Sequence, residues 1–245
     1  MKRNRPIRKL KKRVLLLAKR MLREEILVLG DSHTSIFKQK DICRSFPKSF
    51  FNVINVGGAT ASGLANPNSK TQAYQRFREA LADTVAKRII VMLGEVDTGF
   101  IIWYRASKYN EPVEQVMEKA VETYTGFLLE IQSRPASVIC VSTPLPTIQD
   151  GTAWGEVATA RKEVTASQVD RTALTLRFNK QVEEFCESHG IAFINLDEKS
   201  LGPDGTVDPG LLNSNPNDHH YEPDAYAKIL LDPLKETLLP NLTHA

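Results

Sequence analysis

Three short apolar runs, each stopping at a glycine, constrain the fold of this chain more than any other feature. Ile26-Leu27-Val28-Leu29 stops at Gly30 and passes at once to Asp31-Ser32. Phe51-Asn52-Val53-Ile54-Asn55-Val56 stops at Gly57-Gly58, and Ile89-Ile90-Val91-Met92-Leu93 stops at Gly94. Unbroken runs of Ile, Leu and Val of this length fit strands covered on both faces, as in a parallel sheet. Ser137 to Val141 and Ile191 to Leu196 extend the series to five.

Between these runs the apolar spacing changes to that of helices. Thr34 to Phe46 allows a short helix. Phe77, Ala80, Leu81 and Val85 mark one face of a helix between about Lys70 and Lys87. Pro112 opens a long helix carrying Val113, Val116, Ala120, Tyr124 and Leu128. Leu174, Phe178, Val182 and Phe185 mark another, which ends at His189-Gly190, where glycine suits the C-terminal cap and histidine the negative end of the helix dipole. Phe100 to Tyr109 reads as an aromatic-rich loop, Gln149 to Ala166 as a polar insertion, and Leu201 to Asn217 as a loop rich in Gly, Asp, Asn and Pro.

Five strands alternating with helices predict an α/β fold, a doubly wound five-stranded parallel sheet in one domain. Right-handed crossovers then place every strand-to-helix turn on one edge of the sheet, where ligands of such sheets bind. The length, 245 residues with 42% hydrophobic content, suits one such domain. Cys43, Cys140 and Cys186 are too few and too scattered for a disulfide framework and lack the spacing of a zinc site. A reducing, cytoplasmic setting with no structural metal is the expectation.

The net charge of +3 conceals two different segments. Residues 1–23 hold eleven Lys or Arg and no acid, leaving 21 basic residues against 29 acidic ones in residues 24–245, a net of −8. Ile7, Leu10, Val14, Leu17 and Met21 recur at steps of three and four, which predicts a basic helix with one apolar face starting near Pro6. The apolar run Val14 to Ala18 is too short for a signal peptide or a span and is followed by Lys19-Arg20. An arm of this kind suits peripheral contact with an anionic membrane. The lack of interleaved aromatic residues argues against nucleic acid.

With strands one to three as neighbours, Gly30-Asp31-Ser32, Gly57-Gly58-Ala59-Thr60 and Gly94-Glu95-Val96-Asp97 converge on one crevice. A serine nucleophile needs a base for its proton and donors for an oxyanion. Glycine turns supply exposed amides. The late pair His219-His220, in Asn217-Asp218-His219-His220-Tyr221-Glu222-Pro223-Asp224-Ala225-Tyr226, supplies a base just ahead of a closing helix.

At these residues the chain resembles the SGNH hydrolases, the GDSL esterase and lipase superfamily. Gly30-Asp31-Ser32 is similar to the nucleophile block, Gly58 to the oxyanion glycine, Gly94-Glu95-Val96-Asp97 to the Gly-x-Asn-Asp block, and His220 with Pro223, Ala225 and Tyr226 to the histidine block. The resemblance spans about Glu25 to Leu231 and implies a flavodoxin-like three-layer α/β/α sandwich. It implies Ser32 as nucleophile, His220 as general base, and the amides of Ser32 and Gly58 as oxyanion donors. His33 is a poorer base beside Ser32 and is expected to pack or face solvent. Asp31, Glu95 and Asp97 are expected near substrate, Asp97 alternatively holding the turns together, and Trp103, Tyr104 and Arg105 toward the acceptor.

Two positions depart from the pattern. Val96 stands where the family has its oxyanion asparagine, and one such donor is worth roughly a hundred- to a thousandfold in rate. Either Glu95, Thr60 or a loop asparagine completes the hole, or the enzyme is slow. Asn217 stands where the family has the aspartate that orients histidine; Asp218, one residue out of register, is the available substitute, and a Ser-His dyad is the alternative. The implied activity is that of a serine esterase acting on a small O-acyl ester, such as an acetylated carbohydrate, without metal or cofactor. An acyltransferase on the same framework and a carbohydrate-binding scaffold that has lost its chemistry are the alternatives.

Overall fold

The computed structural model describes residues 5–151 and 165–239, with side chains from residue 14 onward. Most of the polar stretch read as an insertion, residues 152–164, lies outside the described residues. Helix α1 (Arg5–Leu22) leads into strand β1 (Glu24–Gly30). A 3-10 segment, Ser32–Lys38, and helix α2 (Lys40–Ser45) follow, then β2 (Ser49–Asn55), α3 (Ala73–Asp83) and β3 (Arg88–Met92). Helices α4 (Ile102–Tyr109) and α5 (Val113–Gln132), strand β4 (Ser137–Val141), helix α6 (Gln168–Ser188), strand β5 (Ala192–Ile194) and helix α7 (Pro223–Leu238) complete the fold.

The five strands form one sheet in the order β2-β1-β3-β4-β5, and every pairing is parallel. This is the flavodoxin-like order, and its switch point lies between β1 and β3. Alternate residues of the central strands feed two cores. Leu27, Leu29, Ile89 and Val91 pack with Phe77, Leu81, Tyr124, Leu128 and Phe178 on one face. Ile26, Val28, Ile90 and Met92 pack with Phe37, Ile42, Tyr226, Leu230 and Leu234 on the other. Both faces of β1 are therefore shut from water, which is why its sequence shows no polar alternation. Each such side chain, fully buried, contributes about 1.5–3 kcal/mol.

Register brings the strand ends level, Gly30 lying opposite Asn55 on one side and Met92 on the other. Gly30 can hold this place only as glycine: a Cβ there would overlap the Met92 carbonyl oxygen and come within 2.5 Å of Thr34 Cγ2.

Two local readings are corrected. Phe100 to Tyr109 is helical, not a loop. A π-helical turn, Asp97–Ile101, runs into α4, anchored where Thr98 N and Oγ1 donate to the Gly94 carbonyl at 2.8 and 3.2 Å. Trp103 Nε1 donates back to the Thr98 carbonyl at 2.8 Å, so the indole fastens this turn. Helix α6 begins at a capping box, Ser167 and Asp170 each bonding the other's backbone, a start the sequence reading did not mark.

Helix α1 leaves several apolar side chains in water: Met21 is 86% exposed, and Val14, Leu15, Leu17 and Leu22 are exposed as well. Its last turn is clamped to the sheet by Arg20, which donates to both oxygens of buried Glu25 at 2.9 and 3.1 Å. Burial works to raise the Glu25 carboxyl, but bonds from Arg20, Asn52 and the Val85 amide, with the Arg20 charge, hold it below its ordinary value. No helix among the described residues is long and apolar enough to cross a membrane.

Candidate active site

The Ser32 turn is built by the residue before it. Asp31 caps the 3-10 segment, its Oδ1 accepting the His33 amide at 2.9 Å, and Thr34 Oγ1 donates to the Asp31 carbonyl at 2.6 Å. From β2, Asn55 Nδ2 donates to the Ser32 carbonyl at 3.0 Å. Ser32 thus stands half-buried at the carboxyl end of β1, its turn held from both sides. No bond to its hydroxyl forms among the described residues.

The Gly57-Gly58 turn follows β2 on the same edge. Gly58 is exposed and takes φ +71°, a conformation that costs other residues about 1–2 kcal/mol. Neither the Ser32 nor the Gly58 amide donates to a protein acceptor among the described residues, so both remain open to a ligand.

The histidine loop is shaped by side chains of Asn and Asp that bond the backbone two residues ahead. Asn213 Oδ1 accepts the Asn215 amide at 2.9 Å, Asn215 Oδ1 the Asn217 amide at 3.1 Å, and Asp218 Oδ1 the His220 amide at 3.0 Å. A bridge between Leu212 and Tyr221 closes the loop. Asp218 Oδ1 also lies 2.5 Å from His220 Nδ1. Asn217 is exposed, and its backbone amide donates to Asn215 Oδ1. Burial works to raise the Asp218 carboxyl, but the His220 amide and ring, with the charge of the two imidazoles, hold it below its ordinary value. His220 Nε2 is buried and has no hydrogen-bond partner among the described residues.

The two ends of the chain meet here. The ring of His220 lies 4.6 Å from that of His33, the residue after Ser32, and 4.2 Å from that of His219. His33 packs rather than facing solvent, 3% exposed, with Nδ1 3.2 Å from Asp31 Oδ1. A cleft of about 360 Å³ opens beside them, lined by His33, Ser35, Asn213, Asp218 and His220 among others. Ser32, one residue before His33, is not among the residues that line it.

Asp31, Glu95 and Asp97, expected near substrate, are buried at 2% exposure or less. Asp31 shapes the Ser32 turn. Asp97 accepts the Ala61 amide at 2.6 Å and the Ser62 amide at 3.0 Å, fastening the loop after Gly58 to the turn after β3. Burial pushes its carboxyl up to about 6, against the pull of the Ser62 and Ala61 bonds and the charge of Arg105. Trp103 and Tyr104 lie on α4, the first bonded to Thr98 and the second stacked on Phe100 at 5.7 Å. The sequence reading missed Asn55; a polar residue ending a strand on the ligand edge was the available signal.

Comparison with known proteins identifies the architecture. No family model and no curated relative matches the sequence. Solved structures do. A GDSL-like lipase from Bacteroides thetaiotaomicron superposes with a TM-score of 0.58 at 14% identity, covering 87% of each chain. An acetyl xylan esterase gives 0.56 at 10% identity over 88% of this chain and 100% of that one. A carbohydrate acetylesterase from Sinorhizobium meliloti gives 0.55 at 12% identity over 84% and 94%.

Proposed function

We propose that this chain, which has the three-layer SGNH hydrolase fold, is a serine esterase that removes a small acyl group from an alcohol, with an O-acetylated carbohydrate as the favoured substrate class. The observation that carries the reading is the Asp218–His220 pair. Its carboxylate fixes Nδ1 and leaves a buried Nε2, without a hydrogen-bond partner among the described residues, beside the segment that begins with Ser32. In this reading Ser32 Oγ attacks the ester carbonyl while His220 Nε2 takes its proton. Asp218 stabilises the imidazolium, and the amides of Ser32 and Gly58 hold the oxyanion. Collapse expels the alcohol, which receives the proton from His220. Water, activated by the same imidazole, then releases the acid and restores Ser32.

The acetyl preference draws on the acetyl xylan esterase and carbohydrate acetylesterase that share the fold. Release of p-nitrophenol from p-nitrophenyl acetate by the wild type and its loss in Ser32→Ala tests the reaction. Acetate release from acetylated xylan against simple aryl esters tests the substrate class. Equal inertness of wild type and variant toward both would remove the esterase reading.

For the arm, we propose docking on an anionic lipid surface. Its basic residues match that charge, and its exposed Val14, Leu17 and Met21 supply the apolar face.

A further inference from the structure

The mechanism uses one histidine, yet three meet at this place. His33, His219 and His220 each present a ring nitrogen within 4.8 Å of the other two. Two of the three are built alike. In Asp31-Ser32-His33 and in Asp218-His219-His220, an aspartate two residues back accepts both the amide and the Nδ1 side of the histidine: 2.9 and 3.2 Å in the first, 3.0 and 2.5 Å in the second. With Nδ1 turned to a carboxylate, Nε2 is the nitrogen each ring directs away from it. A carboxylate behind each imidazole is the arrangement that orients metal-binding histidines and raises their basicity.

We propose that His33, His219 and His220 form a binding site for a divalent transition ion of the Zn2+ class, and that its occupancy excludes ester hydrolysis by taking the nitrogen His220 needs as a base. The exclusion rests on the esterase reading; the site does not. Three imidazoles and an open fourth position suit zinc, which binds nitrogen at about 2.0–2.1 Å in tetrahedral geometry. That geometry sets the nitrogens about 3.3 Å apart, so binding draws them in from within 4.8 Å, chiefly by rotation of the half-buried His219 ring. His33 and His220 both line the 360 Å³ cleft, which provides the entry path. Among the described residues Asp31 Oδ2 is buried without a hydrogen-bond partner, and a cation next to His33 compensates this desolvated carboxylate.

The test uses untagged full-length protein stripped of metal. Calorimetry with Zn2+ and the visible absorption of added Co2+ read binding without turnover; p-nitrophenyl acetate hydrolysis reads exclusion. Wild type is expected to bind one Zn2+ per chain and to lose activity in proportion. His219→Gln is expected to keep its metal-free activity while its Zn2+ affinity falls at least about tenfold, as is that of His33→Gln. No binding at millimolar Zn2+, or unchanged affinity in both variants, overturns the site. Binding with undiminished hydrolysis overturns the exclusion. A metal-free wild type without turnover counts against the esterase reading alone, because the calorimetric and absorption measurements still decide the site.

Discussion

Asp218 and His220 are joined twice, by the histidine amide at 3.0 Å and by its Nδ1 at 2.5 Å, both to the same carboxylate oxygen. The two-residue spacing lets one aspartate close a local turn and aim an imidazole at once. Asn217, where the resemblance calls for the orienting acid, is exposed, and its backbone amide donates to Asn215 Oδ1.

Asp218→Asn is therefore expected to lower kcat by about three to four orders of magnitude with little change in KM, because an amide orients the ring without stabilising its charged form. Asn217→Ala should stay within about twofold of wild type, the side chain being exposed. Steady-state kinetics on p-nitrophenyl acetate check both. The reverse ranking would move the orienting role to Asn217.

Val96 offers no donor beside Gly94, where the resemblance calls for an asparagine side chain. Val96→Asn should raise kcat by about tenfold or more if the new amide reaches the oxyanion, since one such donor is worth a hundredfold or more where it is fully placed. Unchanged or reduced kcat in a variant of wild-type stability would show that the hole is completed in another way.

Asp97 gives the fold a pH dependence of definite sign. Its folded value, about 6, lies above its ordinary value of 3.8, so between those limits the native state binds more protons than the unfolded chain. Stability from this group is full below pH 3.8 and declines as pH rises toward 6, by at most about 3 kcal/mol. Asp97→Asn removes this contribution. Denaturant unfolding at pH 4.5 and pH 7 should show the wild type gaining on the variant at the lower pH. A constant difference between them would place the titration elsewhere.

Deleting residues 1–23 is expected to abolish co-sedimentation with vesicles containing phosphatidylserine while leaving esterase activity intact. Raising salt should weaken the binding of the full chain, as the charged share of the attraction is screened. Equal sedimentation of both forms would contradict the arm's assignment.

Much of the fold was legible because the sheet is buried on both sides. Strands such as Leu27 and Val28 in β1 or Ile89 and Ile90 in β3 must be continuously apolar, and glycine must follow where strand ends crowd, as at Gly30. The site was legible in its punctuation, Gly58 and the histidine loop included. What escaped was burial of polar groups. Asp31 and Asp97 look like available acids in the sequence, whereas their partners are backbone amides, the same donors that any loop of any composition carries. The π turn after Asp97 escaped for a related reason: its extra residue breaks the helical spacing that Phe100 to Tyr109 would otherwise have shown.

The most direct measurement is covalent labelling by a fluorophosphonate probe of the wild type, Ser32→Ala and His220→Ala, followed by mapping of the modified residue. The account predicts a single adduct on Ser32 in the wild type, none in Ser32→Ala, and strongly slowed labelling in His220→Ala. Labelling that survives in Ser32→Ala, or a folded wild type that never reacts, would contradict it.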